Sequence, residues 1–199
     1  RTEGIVQRIM YIHIPSAWIS FFAFFVVFAC SILYLWKKDR EWDIYAHASA
    51  EIGVLFCSLV LITGPIWAKP IWGAWWVWDA RLTSTLVLWL IYVAYLMLRA
   101  QTEEGSMRAK YAAVVGIVGF LDIPLIHFSV LWWETFHPKP KMITAEGLGA
   151  GMELSMAVTL MISLAAFTLV YFLLMGQRVR IEKMKDEIDS LKKERLFSR

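Results

Sequence analysis

At 199 residues, 59% hydrophobic and only 19% charged, the chain is too apolar for a soluble domain of its size, whose apolar share would be roughly 45–50%. Its charges fall in short runs that leave long apolar stretches between them, which excludes a soluble enzyme and points to an all-α, polytopic helical membrane protein. The net charge of +3 carries less information than the placement of the charges.

The chain opens at Arg1, with no apolar run before Met10, so a longer protein with an earlier helix is expected. The first apolar run, Ile14 to Trp36, is 23 residues without a charge and long enough to span a bilayer. Pro15 and Ser16 stand at its start, where Pro is tolerated and Ser can cap. The second run, Ile52 to Ala68, reaches back toward Ile44, and Gly64-Pro65 is expected to kink or end it.

The stretch from Trp67 to Asp79 follows. It holds five of the eleven Trp in thirteen residues, where an even spread would place fewer than one. Pro70 and Gly73 break a long helix, so the cluster is expected on a turn or short surface helix. Trp at a bilayer boundary is ordinarily an aromatic belt, but anchoring needs only one or two. Flat rings on one short loop also suit a flat ligand.

The third run is Leu82 to Leu98, and the fourth is Tyr111 to Trp133, interrupted by Asp122 and Pro124. An ionisable group inside a span marks function or a buried partner, and here a structural role at the proline carries at least equal weight. The fifth run is Leu154 to Gln177. A charged tail follows, so the chain divides into a membrane domain, 1–177, and a cytoplasmic helical tail, 178–199. In the tail Ile181, Met184, Ile188 and Leu191 follow a/d spacing too short for an independent coiled coil. It reads as an extension of span five or a surface helix, with docking on a cytoplasmic partner as the alternative.

Five spans put the chain ends on opposite sides. Fourteen of the twenty Lys and Arg then fall on one side, eight of them in the tail, against Arg1, Arg8, Lys69, Arg81, Lys139 and Lys141 on the other. The basic side is therefore cytoplasmic, and the Trp stretch faces out.

That outer face also gathers His13, at the start of span one, and His137, in the loop after span four. Two neutral imidazoles from different segments can saturate haem iron from opposite faces. Trp rings offer flat contact to the macrocycle. Arg81 and Arg8 are placed to meet anionic propionates at the water boundary. Each His could equally be a solvated or capping residue. Asp79 reads as a helix cap or a local ion pair with Arg81. His127 lies within span four. His47 and Glu51, one helical turn apart near the inner edge, are too few for a metal site. Cys30 and Cys57 sit in apolar runs without CxxC or CxxCH spacing, so they read as small buried residues and the protein is not a c-type cytochrome. No phosphate loop, HExxH or nucleophile elbow is present, and Gly147 to Gly151 lacks dinucleotide spacing, so it reads as a flexible lead into span five. ATP energy would have to come from a partner.

The segment Trp72-Gly-Ala-Trp-Trp-Val-Trp-Asp-Ala-Arg-Leu-Thr-Ser84 resembles the WWD signature of the haem-handling proteins of cytochrome c maturation. Tyr11-Ile-His-Ile-Pro-Ser-Ala17 is similar to that family's His-Val-Pro-Ser/Ala segment. His127-Phe-Ser-Val-Leu-Trp-Trp-Glu-Thr-Phe-His137 is similar to its second His region. The short length resembles the CcmC branch rather than the larger CcmF and CcsA proteins. The resemblance implies a haem b-binding subunit, not itself an enzyme, in a bacterial inner membrane. It implies six spans in the full protein, a CcmA/CcmB ABC transporter and a small CcmD subunit as partners, and delivery of haem on the periplasmic side to the chaperone CcmE. It carries the axial-ligand role to His13 and His137, and the WWD role to Trp72, Trp75, Trp76, Trp78 and Asp79. The chain departs from the family pattern at Asp122, where Asn is common, and at Pro138, where Gln often follows the second His. The competing readings are a b-type electron-transfer cytochrome, whose His ligands would lie within spans, and an ion or solute transporter component using Asp122.

Overall fold

The computed structural model describes residues 4–102, 105–132, 143–144, 147–148 and 153–197. A 3₁₀ turn, Gly4–Ile9, leads into α1 (Met10–Lys37). Then come α2 (Arg40–Trp72), α3 (Ala80–Gln101), α4 (Ser106–Phe120), α5 (Asp122–Trp132) and α6 (Leu154–Phe197). Two-residue strands, β1 (Ile143–Thr144) and β2 (Gly147–Leu148), pair antiparallel before α6, so Gly147 belongs to a small hairpin rather than a free lead. Among the described residues five helical stretches are long and apolar enough to cross a membrane, with α4 and α5 together supplying the fourth. The protein is thus a polytopic helical membrane protein, as its apolar runs predict.

The helices are longer than the runs, and the charged ends of α2, α3 and α6 are paired with one another. Span one begins at Met10, four residues ahead of the expected start, and Ser16 donates to the Ile12 carbonyl instead of capping. At its other end Lys38 takes the left-handed conformation, φ 58°, and its N–H closes on the Tyr34 carbonyl. Asp39 then caps α2 through the Glu41 N–H. The sharp two-residue connection folds α2 back along α1. The register follows: His13 lies against Thr63, Phe24 against Gly53, and the Ala23 carbonyl against Ser49.

The helix does not end at Gly64-Pro65, and Pro70 does not end it either. The helix α2 runs through both prolines to Trp72, about 50 Å for its 33 residues. A proline removes one N–H and crowds one carbonyl, a loss that membrane helices tolerate when neighbours pack around them. What stops α2 is Gly73, at φ 75°, whose N–H reaches the Lys69 carbonyl in a left-handed C-cap. The break predicted in span four is present. The helix ends at Phe120 and resumes at Asp122, two residues before Pro124.

Lipid offers apolar side chains no reason to leave it, so these helices hold together by close packing and internal polar contacts. Phe24 stacks on Tyr92 of α3, ring centroids 3.7 Å apart. The Tyr92 hydroxyl donates to the Gly116 carbonyl of α4. Gly116 and Gly119 are needed for this approach, since a Cβ on either would fall within 3 Å of Val27 or Ile91. Ser49 donates to the Ala23 carbonyl and meets the Tyr171 hydroxyl, tying α1, α2 and α6 at one buried point. Cys30 and Cys57 are buried free thiols, as expected.

At the end of the bundle where α1 turns into α2, several ionisable groups are paired. Asp43 and Arg99, both buried, form a two-point ion pair between α2 and α3, and the guanidinium lies 5.7 Å from the Tyr95 ring centroid. The expected tail is a continuation of α6, which is 44 residues and so about 66 Å long, twice a hydrocarbon core. Its first charged turns zip onto α2 through Arg178–Glu51, Lys183–Glu41 and Arg40–Asp186. His47 sits 3.5 Å from Glu51 and 3.4 Å from Glu182 within this ladder. Among the described residues no cluster suits a metal ion.

Candidate functional site

The site is built at the opposite end, where α1 begins, α2 ends and α3 begins. His13 lies one turn into α1, half-buried on α2. Its Nδ1 is 2.8 Å from Thr63 Oγ1. Its Cε1 passes over Gly64, close enough that a methyl there would touch it at 3.5 Å. Its ring meets Trp67 edge-on, centroids 5.6 Å apart and planes at 71°. Thr63, Gly64 and Trp67 share one face of α2 because helical spacing stacks positions three and four apart.

Only part of the Trp stretch is irregular. Trp67 and Trp72 belong to α2, Trp72 being its last residue. Trp75, Trp76 and Trp78 lie on the loop from Gly73 to Asp79. Lys69 holds the loop's first turn by donating to the Gly73 carbonyl at 2.9 Å, and its ammonium lies 5.9 Å from the Trp75 ring centroid. Trp76 and Trp78 meet edge to face at 5.6 Å. Trp75 and Trp78 are 58% and 77% exposed, so their rings are presented outward rather than spent on the core.

Asp79 closes the loop. Its carboxylate accepts from the Leu82 N–H at 2.8 Å and caps α3, the role its sequence position predicts. Arg81, in the first turn of α3, extends Nη2 to the His127 carbonyl of α5 at 3.4 Å. His127 itself is exposed. Arg8 is exposed on the 3₁₀ turn that leads to His13. His137 lies outside the described residues, as do Trp133 and Pro138.

Three buried donors at this end have no hydrogen-bond partner among the described residues: Trp67 Nε1, Trp76 Nε1 and Arg81 Nε. A buried donor left without an acceptor costs about 1–3 kcal/mol, so an acceptor brought to these three would be stabilising. By contrast Asp122, whose Oδ2 is also buried without a partner, sits in the first turn of α5, apart from the Trp loop in the chain.

Thr63 and Trp67 are the residues that sequence reading did not assign to the site. A signal for them exists: His13 and Gly64 are equally far in sequence from the two-residue connection Lys38–Asp39. Folding back there brings them level.

Fold and site together define a polytopic helical membrane protein that holds a histidine and a tryptophan-rich loop at one end of its helix bundle. Comparison with known sequences gives the particular family. The family model for heme exporter protein C, CcmC, matches residues 1–194. Heme exporter protein C of Bradyrhizobium diazoefficiens is 38% identical over 189 residues, covering 95% of this chain and 71% of that protein. The Haemophilus influenzae heme exporter protein C is 36% identical over 185 residues, 93% of this chain and 74% of that protein. A putative cytochrome c biosynthesis ccmC-like mitochondrial protein of Marchantia polymorpha is 36% identical over 180 residues, 89% and 75% of the two chains. The chain belongs to the heme exporter protein C family.

Proposed function

We propose that this chain is a haem-handling subunit for cytochrome c maturation that binds haem b at the periplasmic face of a bacterial inner membrane and presents it to the haem chaperone CcmE. It works beside a CcmA/CcmB ABC transporter and the small subunit CcmD. It turns over no substrate of its own, and ATP hydrolysis belongs to the partner. The observation that carries this reading is the meeting of His13 with Trp67 of the Trp stretch, at the end of the bundle where Trp67 Nε1, Trp76 Nε1 and Arg81 Nε are buried without an acceptor among the described residues.

The residues present fit the group. Haem, when bound, supplies an iron with two axial positions and two carboxylate arms. His13 would hold one axial position and His137 the other. Trp72, Trp75, Trp76 and Trp78 would give flat apolar contact, which suits a ligand that must leave again better than a sealed pocket does. Arg81 and Arg8 would meet the propionates, and the orphaned N–H groups of Trp67, Trp76 and Arg81 want acceptors of that kind. Asp79 keeps the loop in shape through its cap on α3. The distribution of Lys and Arg supports an outward orientation of this face.

Absorption spectra of the haem-loaded protein test the assignment. Low-spin, bis-histidine features are expected to disappear in His13→Ala and in His137→Ala and to persist in His127→Ala. An unchanged spectrum in the His13, His137 double substitution would overturn the site. Mixing loaded protein with the chaperone separates hand-over from electron transfer: haem is expected to move, and a b-type cytochrome would keep it.

A further inference from the structure

We propose that Thr63 is a positioning residue that sets the tautomer of His13, holding the proton on Nδ1 and the ring lone pair on Nε2. This rests on the reading of His13 as an iron ligand, but its geometry stands on protein atoms alone.

A threonine hydroxyl has one hydrogen and two lone pairs. Thr63 Oγ1 lies 2.7 Å from the Leu59 carbonyl, one helical turn back, and 3.5 Å from the Val60 carbonyl. Both neighbours are acceptors, so the hydroxyl hydrogen must point at the helix. If it turned to His13 instead, two oxygen acceptors would face each other at 2.7 Å with no proton between them. The contact to His13, 2.8 Å, therefore uses a Thr63 lone pair, and the imidazole is the donor. A neutral imidazole with Nδ1–H carries its lone pair on Nε2, which makes Nε2 the coordinating atom. The second ring nitrogen of a histidine ligand commonly has such an acceptor, which fixes ring orientation and raises ligand basicity.

The surroundings keep this bond in place. Trp67 stands against the ring edge, and Gly64 lies beneath Cε1. Because Thr63 is β-branched, its back-bond to Leu59 also restricts χ1, so the acceptor lone pair has a fixed direction. The hydrogen-bond chain runs from the His13 ring through Thr63 to the α2 backbone. Any displacement of this turn of α2 is thus transmitted to the imidazole.

The test begins with haem-free protein. Nitrogen-15 NMR of ring-labelled histidine in detergent micelles distinguishes the tautomers, and comparison with His13→Asn identifies the His13 signals. The expected result is a single Nδ1–H tautomer in the wild type and in Thr63→Ser, and loss of that preference in Thr63→Val. An Nε2–H tautomer in the wild type overturns the proposal without any variant having to fold. Haem-loaded protein gives the second reading. Thr63→Val is expected to retain haem roughly tenfold or more less tightly, with a shifted low-spin spectrum, and Thr63→Ser to recover both. If His13→Ala leaves the haem spectrum unchanged, the ligand reading fails while the tautomer result stands. If His13→Ala abolishes the low-spin spectrum but Thr63→Val moves neither tautomer nor spectrum, the positioning role fails.

Discussion

His13 and Trp67 touch edge to face at 5.6 Å across the α1–α2 interface, and this contact joins the histidine to the tryptophan-rich segment. An aromatic pair of this geometry contributes about 0.5–1.5 kcal/mol beyond area burial. Trp67→Ala is therefore expected to weaken haem retention by roughly two- to tenfold, through a looser imidazole and the loss of a buried N–H donor. Trp67→Phe keeps an edge contact and should fall between the two. Haem titration of the purified protein measures the series. Equal affinity across all three would mean that Trp67 serves only the packing of α2.

Asp79 gives a prediction about the loop rather than the ligand. Its carboxylate satisfies the Leu82 N–H at the start of α3. Asp79→Ala removes that acceptor and should cost about 1 kcal/mol, while Asp79→Asn and Asp79→Ser keep a capping oxygen and should cost less. Protease cutting between Gly73 and Ala80, together with thermal unfolding in detergent, reads the effect. A loop in Asp79→Ala as resistant as the wild type would show that another contact shapes it.

How far the sequence disclosed this arrangement depended on the range of the interaction. Apolar runs announced the spans, since a bilayer admits few alternatives to a helix of that length. Asp79 was legible as a cap because capping is settled within three residues. Gly73 was legible as a breaker and does stop α2, but the prolines ahead of it misled. Pro65 and Pro70 read as breakers, yet the helix passes through them, because its neighbours decide whether one missing N–H matters. Thr63 was harder to read for a different reason. Its partner is fifty positions away, and only the fold-back at Lys38–Asp39 makes them neighbours. His137 lies outside the described residues, so its pairing with His13 rests on the spectra proposed above.

The buried pair Asp43–Arg99 calls for a double substitution. Both side chains are withdrawn from solvent, 4% and 3% exposed, and they bond at two points. Removing Asp43 leaves Arg99 as an uncompensated buried charge and should cost roughly 3–5 kcal/mol, removing Arg99 less because Arg40 stays 3.9 Å from Asp43, and removing both much less. The expected order of stability is therefore wild type or the Asp43→Leu, Arg99→Met double variant first, and either single variant last. Unfolding in mixed micelles measures it. Additive losses in the double variant would show that each residue is held by contacts other than its partner.

Gly53 tests the register that brings His13 to Thr63. A Cβ built there would lie 2.5 Å from Phe24 Cε1 and 2.8 Å from Cδ1. Phe24 cannot swing aside easily, since it is fully buried and its ring stacks on Tyr92 at 3.7 Å. Gly53→Ala should therefore force α1 and α2 apart, with an overpacking cost of about 1–3 kcal/mol. Because the same two helices carry His13 and Thr63 further along, the displacement should also broaden the His13 tautomer signal, although Gly53 touches nothing at the site. Phe24→Leu removes the clashing ring atoms. Combined with Gly53→Ala it is expected to restore the signal in part, while remaining less stable than wild type because the stack on Tyr92 is gone. A Gly53→Ala protein with wild-type stability and a sharp Nδ1–H signal would mean that the helices yield locally and that the site's register is set nearer to Lys38–Asp39.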